Sequence, residues 1–160
     1  MNEYIGIDVG KEQVDICWLR DPNTGKKKTK KFKNKPEVFS DIRQWLIEQT
    51  QIDSNRIIIL LEATGVYHEG LSYFLYDQGF KLIVSNPGKA KKFSQSIGLI
   101  HKTDKSDAMM LARYGFSQQH QLILWEPEPK EIRQLKAMMR RLSALEKDYQ
   151  REKNRFIPEP

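Results

Sequence analysis

Ile57-Ile58-Ile59-Leu60-Leu61-Glu62 decides the fold. Five aliphatic residues in succession end on a carboxylate. The run is far shorter than the ~18 apolar residues of a membrane span. It lacks the alternation of a half-solvated strand, so it reads as a strand at 56–61 buried on both faces, as inside a parallel sheet. Such a strand needs a neighbour on each side and helices above and below.

The flanking sequence supplies them. Residues 3–9 and 13–19 read as two strands, the second alternating Val14, Ile16 and Trp18 against Asp15 and Cys17. Asp21-Pro22-Asn23-Thr24-Gly25 is a turn signal, which predicts a third strand near 28–33 paired back as a hairpin. Pro36 can open a helix in which Phe39, Ile42 and Leu46 recur at helical spacing, with Val38 and Trp45 beside them. Beyond the central run, Tyr67, Leu71, Phe74 and Leu75 mark a helix with Gly79 as its C-cap. A fifth strand at 80–85 stops at Asn86-Pro87-Gly88, and helices follow near 88–97 and 104–115, the latter with Thr103 as N-cap. A hairpin meander continued by crossover units gives an α/β fold: a mixed five-stranded sheet flanked by helices, the ribonuclease H-like arrangement.

This domain is expected to occupy 1–120. Trp125-Glu126-Pro127-Glu128-Pro129 reads as part of a linker, 121–129. From 130 to 157 an amphipathic helix carries Leu135, Leu142, Tyr149 and Phe156 at sevenfold spacing, with Met138 and Leu145 between them. That is either a coiled-coil seam or a face packed on its own domain.

The chain of 160 residues carries a net charge of +6 and a pI near 9.3, which favours a polyanionic partner such as nucleic acid. Its single cysteine, Cys17, excludes an intrachain disulfide and a thiolate zinc centre. No membrane span is visible, and Met1 to Tyr4 show no basic-then-apolar leader, so the expected compartment is the cytoplasm.

Four acids stand where metal-dependent phosphodiester chemistry needs them: Asp8, Glu62, Asp104 and Asp107. Carboxylates are hard oxygen donors suited to Mg²⁺, with Mn²⁺ as a substitute. Asp8 ends the strand Ile5-Gly6-Ile7-Asp8-Val9 and Glu62 ends the central run; the two strands are neighbours in this fold. Asp104 and Asp107, three residues apart, would share one helix face. Each has a bland alternative. Asp8 could be a turn residue before Gly10, Glu62 the start of a loop, and the aspartate pair a favourable charge at a helix N-terminus. An ion gathered by such acids would steady the oxygens of an in-line phosphoryl displacement.

Lys26, Lys27, Lys28, Lys30, Lys31 and Lys33 could grip a nucleic-acid backbone, with Phe32 available for stacking. The alternative is an edge strand protected from aggregation by charge. Lys89, Lys91, Lys92, Lys102 and Lys105 surround the acidic helix, where substrate phosphates would pass, or form an ordinary solvated surface. His68, His101 and His120 are scattered and receive no role.

Ile5-Gly6-Ile7-Asp8-Val9, Glu62-Ala63-Thr64-Gly65-Val66-Tyr67, Asn86-Pro87, Lys91-Lys92-Phe93, and Lys102-Thr103-Asp104 through Asp107-Ala108 to Leu111-Ala112-Arg113 occur in that order. Together they resemble the N-terminal domain of the DEDD-type insertion-sequence transposases, relatives of the pilin-gene invertase described as bridge-RNA-guided recombinases. The resemblance covers roughly residues 3 to 117. It implies a fold like the Holliday-junction resolvase RuvC, with Asp8, Glu62, Asp104 and Asp107 as an acidic tetrad binding Mg²⁺. It also implies a coiled coil after the domain, serving dimerisation or higher assembly. A second, C-terminal domain would carry a nucleophilic serine, so no serine here is assigned that role. The chain is then expected to be a piece of a larger recombinase, inactive alone, whose partners are the DNA of the element ends and target and a guide RNA. Three rivals remain: a self-sufficient metal-dependent junction nuclease, a non-catalytic RNA-binding dimerisation module, and an actin-like ATPase. The last is disfavoured by the short chain and the lack of a second glycine-rich phosphate loop.

Overall fold

The computed structural model describes residues 2–96 and 106–156. The chain divides into two compact units, Met1–Trp125 and Glu126–Pro160. Among the described residues no helix is long and apolar enough to cross a membrane.

The first unit is built on strands β1 (Glu3–Val9), β2 (Gln13–Asp21), β3 (Lys26–Lys33), β4 (Ile57–Glu62) and β5 (Lys81–Ser85), in sheet order β3-β2-β1-β4-β5. β1 to β3 form the antiparallel meander, while β4 and β5 run parallel to β1. The helices are α1 (Phe39–Thr50), α2 (Glu69–Asp77), α3 (Lys89–Ser96) and α4 (Asp107–Ser117). The mixed five-stranded architecture is the one expected from the sequence.

Strand alternation sorts the side chains onto two faces. One face buries Ile5, Ile7, Ile16, Ile59 and Leu61 against Ile42 and Leu46 of α1 and Leu71 and Leu75 of α2. On the other, Tyr4, Ile58, Leu60 and Ile83 meet Ala90 of α3 and Leu111 of α4. Cys17 and Leu19 meet Ala108, Met109 and Ala112 of α4 on that same face.

Several boundaries shift for local reasons. Pro36 opens a short 3-10 turn, Pro36–Val38, and α1 starts after it. α2 begins at Glu69 rather than at Tyr67, because Gly65 takes a positive φ of 64° and turns the chain first. Tyr67 is thus exposed and outside the buried stripe. Gly79, at φ 82°, closes α2, with Gly79 N–H donating to Tyr76 O and Phe80 N–H to Leu75 O, a Schellman pair. The helix expected from 104 begins at Asp107, capped by Ser106, whose extended backbone (ψ 134°) interrupts helical geometry and whose Oγ accepts the Met109 N–H. Thr103 lies outside the described residues. Trp125 belongs to this unit: its N–H donates to Leu82 O at 2.7 Å and its ring packs beside Tyr73 and Tyr76.

Two glycines let α4 lie close on the sheet. A Cβ on Gly6 of β1 would collide with the Ala108 carbonyl oxygen and come within 2.6 Å of the Ala112 nitrogen. A Cβ on Gly115 of α4 would collide with the Leu60 side chain. Further along, Tyr4 meets Phe116 edge-on at 5.7 Å. α4 therefore runs antiparallel to β1, with its first turn at the end of the strand where Asp8 stands.

In the second unit α5 (Lys130–Arg155) spans 26 residues and buries none of them. Leu135, Met138, Leu142, Leu145 and Tyr149 are all more than half exposed. The pairs Arg151–Asp148 and Arg155–Glu152 are exposed and contribute little.

Gly6→Ala should cost about 1–3 kcal/mol or more in urea unfolding, because the new methyl meets backbone that cannot swing aside. An unchanged midpoint would show that α4 does not rest on β1.

Candidate metal-binding acid site

Asp8 and Glu62 reach the site by register. Ile7 pairs with Leu61 in the parallel β1–β4 ladder, so Asp8 and Glu62 occupy the next position of each strand. Both then project to the face that carries Gly6 and Leu60, which α4 covers. Parallel strands leave their functional ends on the same side, and ligands collect at the carboxyl ends. Asp107, the first residue of α4, arrives there because the helix runs antiparallel to β1.

The three carboxylates feel one another. Burial pushes the Asp8 carboxyl above the ordinary aspartate range, and the charges of Asp107 and Asp15 push it further. Burial likewise raises Glu62, assisted by Asp107 and Asp8, while a hydrogen bond from Gly88 N–H to Glu62 Oε1 at 3.1 Å opposes the shift. Asp107 is exposed and sits where the positive end of the α4 dipole favours an anion. The helix-end explanation thus applies to Asp107 as well as the site explanation. Asp104, with Lys102 and Lys105, lies outside the described residues.

A cavity of about 200 Å³ opens between Glu62, Gly88, Lys91, Asp107 and Met110. Among the described residues no three His, Cys, Asp or Glu side chains lie close enough together to hold an ion unaided. Magnesium does not require that. It keeps several waters and is held by one or two carboxylates plus substrate phosphate oxygens. Glu62 and Asp107 on one cavity, with Asp8 beside them, fit such an ion in donor chemistry.

The lysine run divides by alternation. Lys27, Thr29 and Lys31 fall on the face of Asp15 and Cys17, since Lys31 is paired with Asp15 in the β2–β3 register. With Asp15 and Ser106 they border a second cavity of about 330 Å³ near the start of α4. Lys31 Nζ lies 3.3 Å from Asp15 Oδ1. Lys28 and Lys30 fall on the opposite face, where Lys28 donates to Gln49 Oε1 and Lys30 lies 4.9 Å from the centre of the Phe32 ring. Phe32 is not free to stack on a base: it packs edge-on to Trp45 against the core. Lys26 and Lys33 are exposed at the two ends of β3, and Lys89, Lys91 and Lys92 are exposed on α3.

Two contributors escape a reading by residue type. Asp15, the direct partner of Asp8 across β1–β2, was visible only as an outward strand residue, yet the register of the hairpin places the two carboxylates together. Gly88 was visible only as part of a strand stop, and its backbone N–H holds Glu62.

The sequence profile of the DEDD transposases of the IS110 type, described as a transposase family, matches residues 5–158. The chain belongs to this family. It is 32% identical over 137 residues to the pilin gene-inverting proteins of Moraxella bovis and Moraxella lacunata, covering 86% of the chain and 41% of each relative. The chain thus spans about two-fifths of the length of these curated relatives. Among solved structures, T. thermophilus RuvC in complex with Holliday junction substrate matches with a TM-score of 0.52 at 12% identity, over 78% of this chain and 100% of that one. A second Thermus thermophilus RuvC structure matches at 0.50 and 12%, over 76% and 98%. At such identity the likeness shows the RuvC-like, ribonuclease H-like fold of this transposase-family chain.

Asp8→Asn should raise the melting temperature of the chain in chelator. A raised carboxyl pKa means that the fold disfavours the charged form, so stability falls as pH rises from the unfolded pKa through the folded one. Removing the charge restores it. Asp8 is partly solvated, so the gain should stay below the roughly 2–4 °C that 1 kcal/mol yields in a chain of this size. A lower melting temperature at pH 7 would show that Asp8 is instead paired favourably.

Proposed function

We propose that this chain is the acid-bearing domain of a transposase that breaks and rejoins DNA at the ends and target of an insertion sequence. One observation carries the reading. Asp8 and Glu62 end adjacent parallel strands under the first turn of α4, and their carboxyls are raised by burial and by Asp107. Desolvation together with a specific charged neighbour at a cleft makes these acids candidates for a functional site. Family membership and the gene-inverting relatives support the choice of DNA as substrate.

In this reading Asp8, Glu62 and Asp107 hold Mg²⁺ together with waters and substrate phosphate oxygens, with Asp104 as the fourth acid of the family pattern. The ion supplies positive charge to the phosphate oxygens of the scissile bond. Gly88 N–H fixes the Glu62 carboxylate. Lys91 lines the same cavity and meets the phosphate, while Lys27 and Lys31 receive the flanking backbone. Lys26, Lys33, Lys89 and Lys92 extend the contact. The nucleophile is a serine of a further domain, a bridge RNA selects the DNA, and copies associate through the heptad face of α5. A self-sufficient junction nuclease using water is the second reading, suggested by the full coverage of RuvC.

Calorimetric titration of Mg²⁺ into the chain with a branched DNA present tests the site. Uptake should be seen in wild type and fall by at least about tenfold in affinity in both Asp8→Ala and Glu62→Ala, as for the loss of a charged ligand. Uptake retained in both variants would remove these acids from metal binding. Magnesium-dependent nicking of the branched DNA by the isolated chain would replace the serine-dependent reading with the nuclease one.

A further inference from the structure

A third cavity, of about 340 Å³, lies one strand outward from Glu62, and neither Asp8, Glu62 nor Asp107 lines it. Ser85 lines it and is the cross-strand partner of Glu62 in the β4–β5 ladder, so cavity and acid site are neighbours on one sheet face. Ser85 Oγ is buried and has no hydrogen-bond partner among the described residues. A hydroxyl left in that state is costly, and a ligand group in the cavity could pair with it. Ile123 borders the opening with 86% of its surface in water, an apolar side chain with nothing over it.

The lining has a definite chemistry. Asn86, Gln118 and Gln121 bring three carboxamides, each both donor and acceptor. Ile83 and Leu122 provide apolar surface, and Tyr114 an aromatic ring. Among the described residues Lys89 is the one charged side chain on the lining, and none of them brings a carboxylate there. Uncharged groups that both donate and accept, apolar and aromatic side chains and one cation suit a nucleotide: a base on the amides and apolar surface, a phosphate at Lys89. A metal ion would want carboxylates, and a duplex would not fit. The volume is at the lower limit of small-molecule sites, which suits one unstacked base.

We infer that this cavity receives a single unstacked nucleotide of the nucleic-acid strand whose phosphate enters the acid site. The inference rests on the nucleic-acid reading of that site. The turn at Asn86-Pro87-Gly88 links the two places: Gly88 N–H holds Glu62, and the next residue, Lys89, faces the cavity. A strand passing the acids therefore meets Lys89 and the amides next. The strand can be the DNA substrate or an RNA, since the base edge is shared by both.

Fluorescence anisotropy with labelled 12-nucleotide single strands, DNA and RNA, against matched strands carrying abasic positions, tests this on the whole chain. Wild type should prefer base-bearing strands by about tenfold, within the range of one stacked base. Gln118→Ala should erase most of that preference while leaving Mg²⁺ uptake intact. Ser85→Val should do the same, and Gln118→Ala, at a half-exposed helix end, covers the case in which Ser85→Val fails to fold. Lys89→Ala should weaken base-bearing and abasic strands alike. Preference confined to RNA or to DNA supports the inference and identifies the strand. Equal binding of abasic and base-bearing strands by wild type overturns the pocket while the acid-site reading stands. A preference unchanged in both pocket variants overturns it too, and so does the absence of any strand binding by wild type.

Discussion

The approach of α4 to β1 is the constraint on which the rest depends. A helix normally stands off a sheet by the thickness of two side-chain layers. Here Gly6 removes one layer and Ala108 and Ala112 nearly remove the other, so helix backbone rests on strand backbone. Gly115 repeats the arrangement over Leu60. Two contacts fix both position and direction of the helix. Direction matters because it places the first turn, with Asp107, at the carboxyl ends of β1 and β4. A helix one side chain further out would still fold, but it would carry Asp107 away from Asp8 and Glu62.

That placement gathers negative charge in a protein that is otherwise basic. Asp8, Asp15, Glu62 and Asp107 stand within electrostatic reach, and two of them are partly desolvated. Among the described residues this is relieved only in part. Lys31 compensates Asp15, and Gly88 N–H compensates Glu62, but neither neutralises Asp8. A structural explanation of the acids would predict partners for each. Functional sites more often carry such unrelieved strain, offset by the rest of the fold. Here the offset is the doubly covered core, in which Ile5, Ile7, Ile59 and Leu61 are fully buried.

Much of this was legible in the sequence, and what was not has physical reasons. Ile57 to Leu61 announced a central parallel strand because five aliphatic residues leave no face for water. In the ribonuclease H-like arrangement β1 and β4 are neighbours, which set Asp8 beside Glu62; the structure supplies the register that aligns them. Phe32 was misread because its neighbours are lysines; only its pairing with Val14, and so with the face covered by α1, shows that it belongs to the core. The lysine run looked like one patch, but period two divides it between two faces. α4 starts at Asp107 because Ser106 has extended backbone and caps the helix with its Oγ. Gly88 could not be found by residue type at all, since its contribution is a backbone N–H.

The charge pattern also orders what can bind first. Asp8, Glu62 and Asp107 repel a phosphate, whereas Lys27, Lys31 and Lys91 around them attract one. A polyanion is therefore drawn to the rim and refused at the centre until positive charge is supplied there. In the proposed function, a cation at these carboxyls would be held more strongly once a phosphate adds its oxygens to the shell. Each ligand thus raises the affinity of the other, and thermodynamic linkage makes the effect equal in both directions. If the site works as proposed, it stays closed to cleavage until strand and ion are present together. That property follows from the placement of six side chains around one helix end.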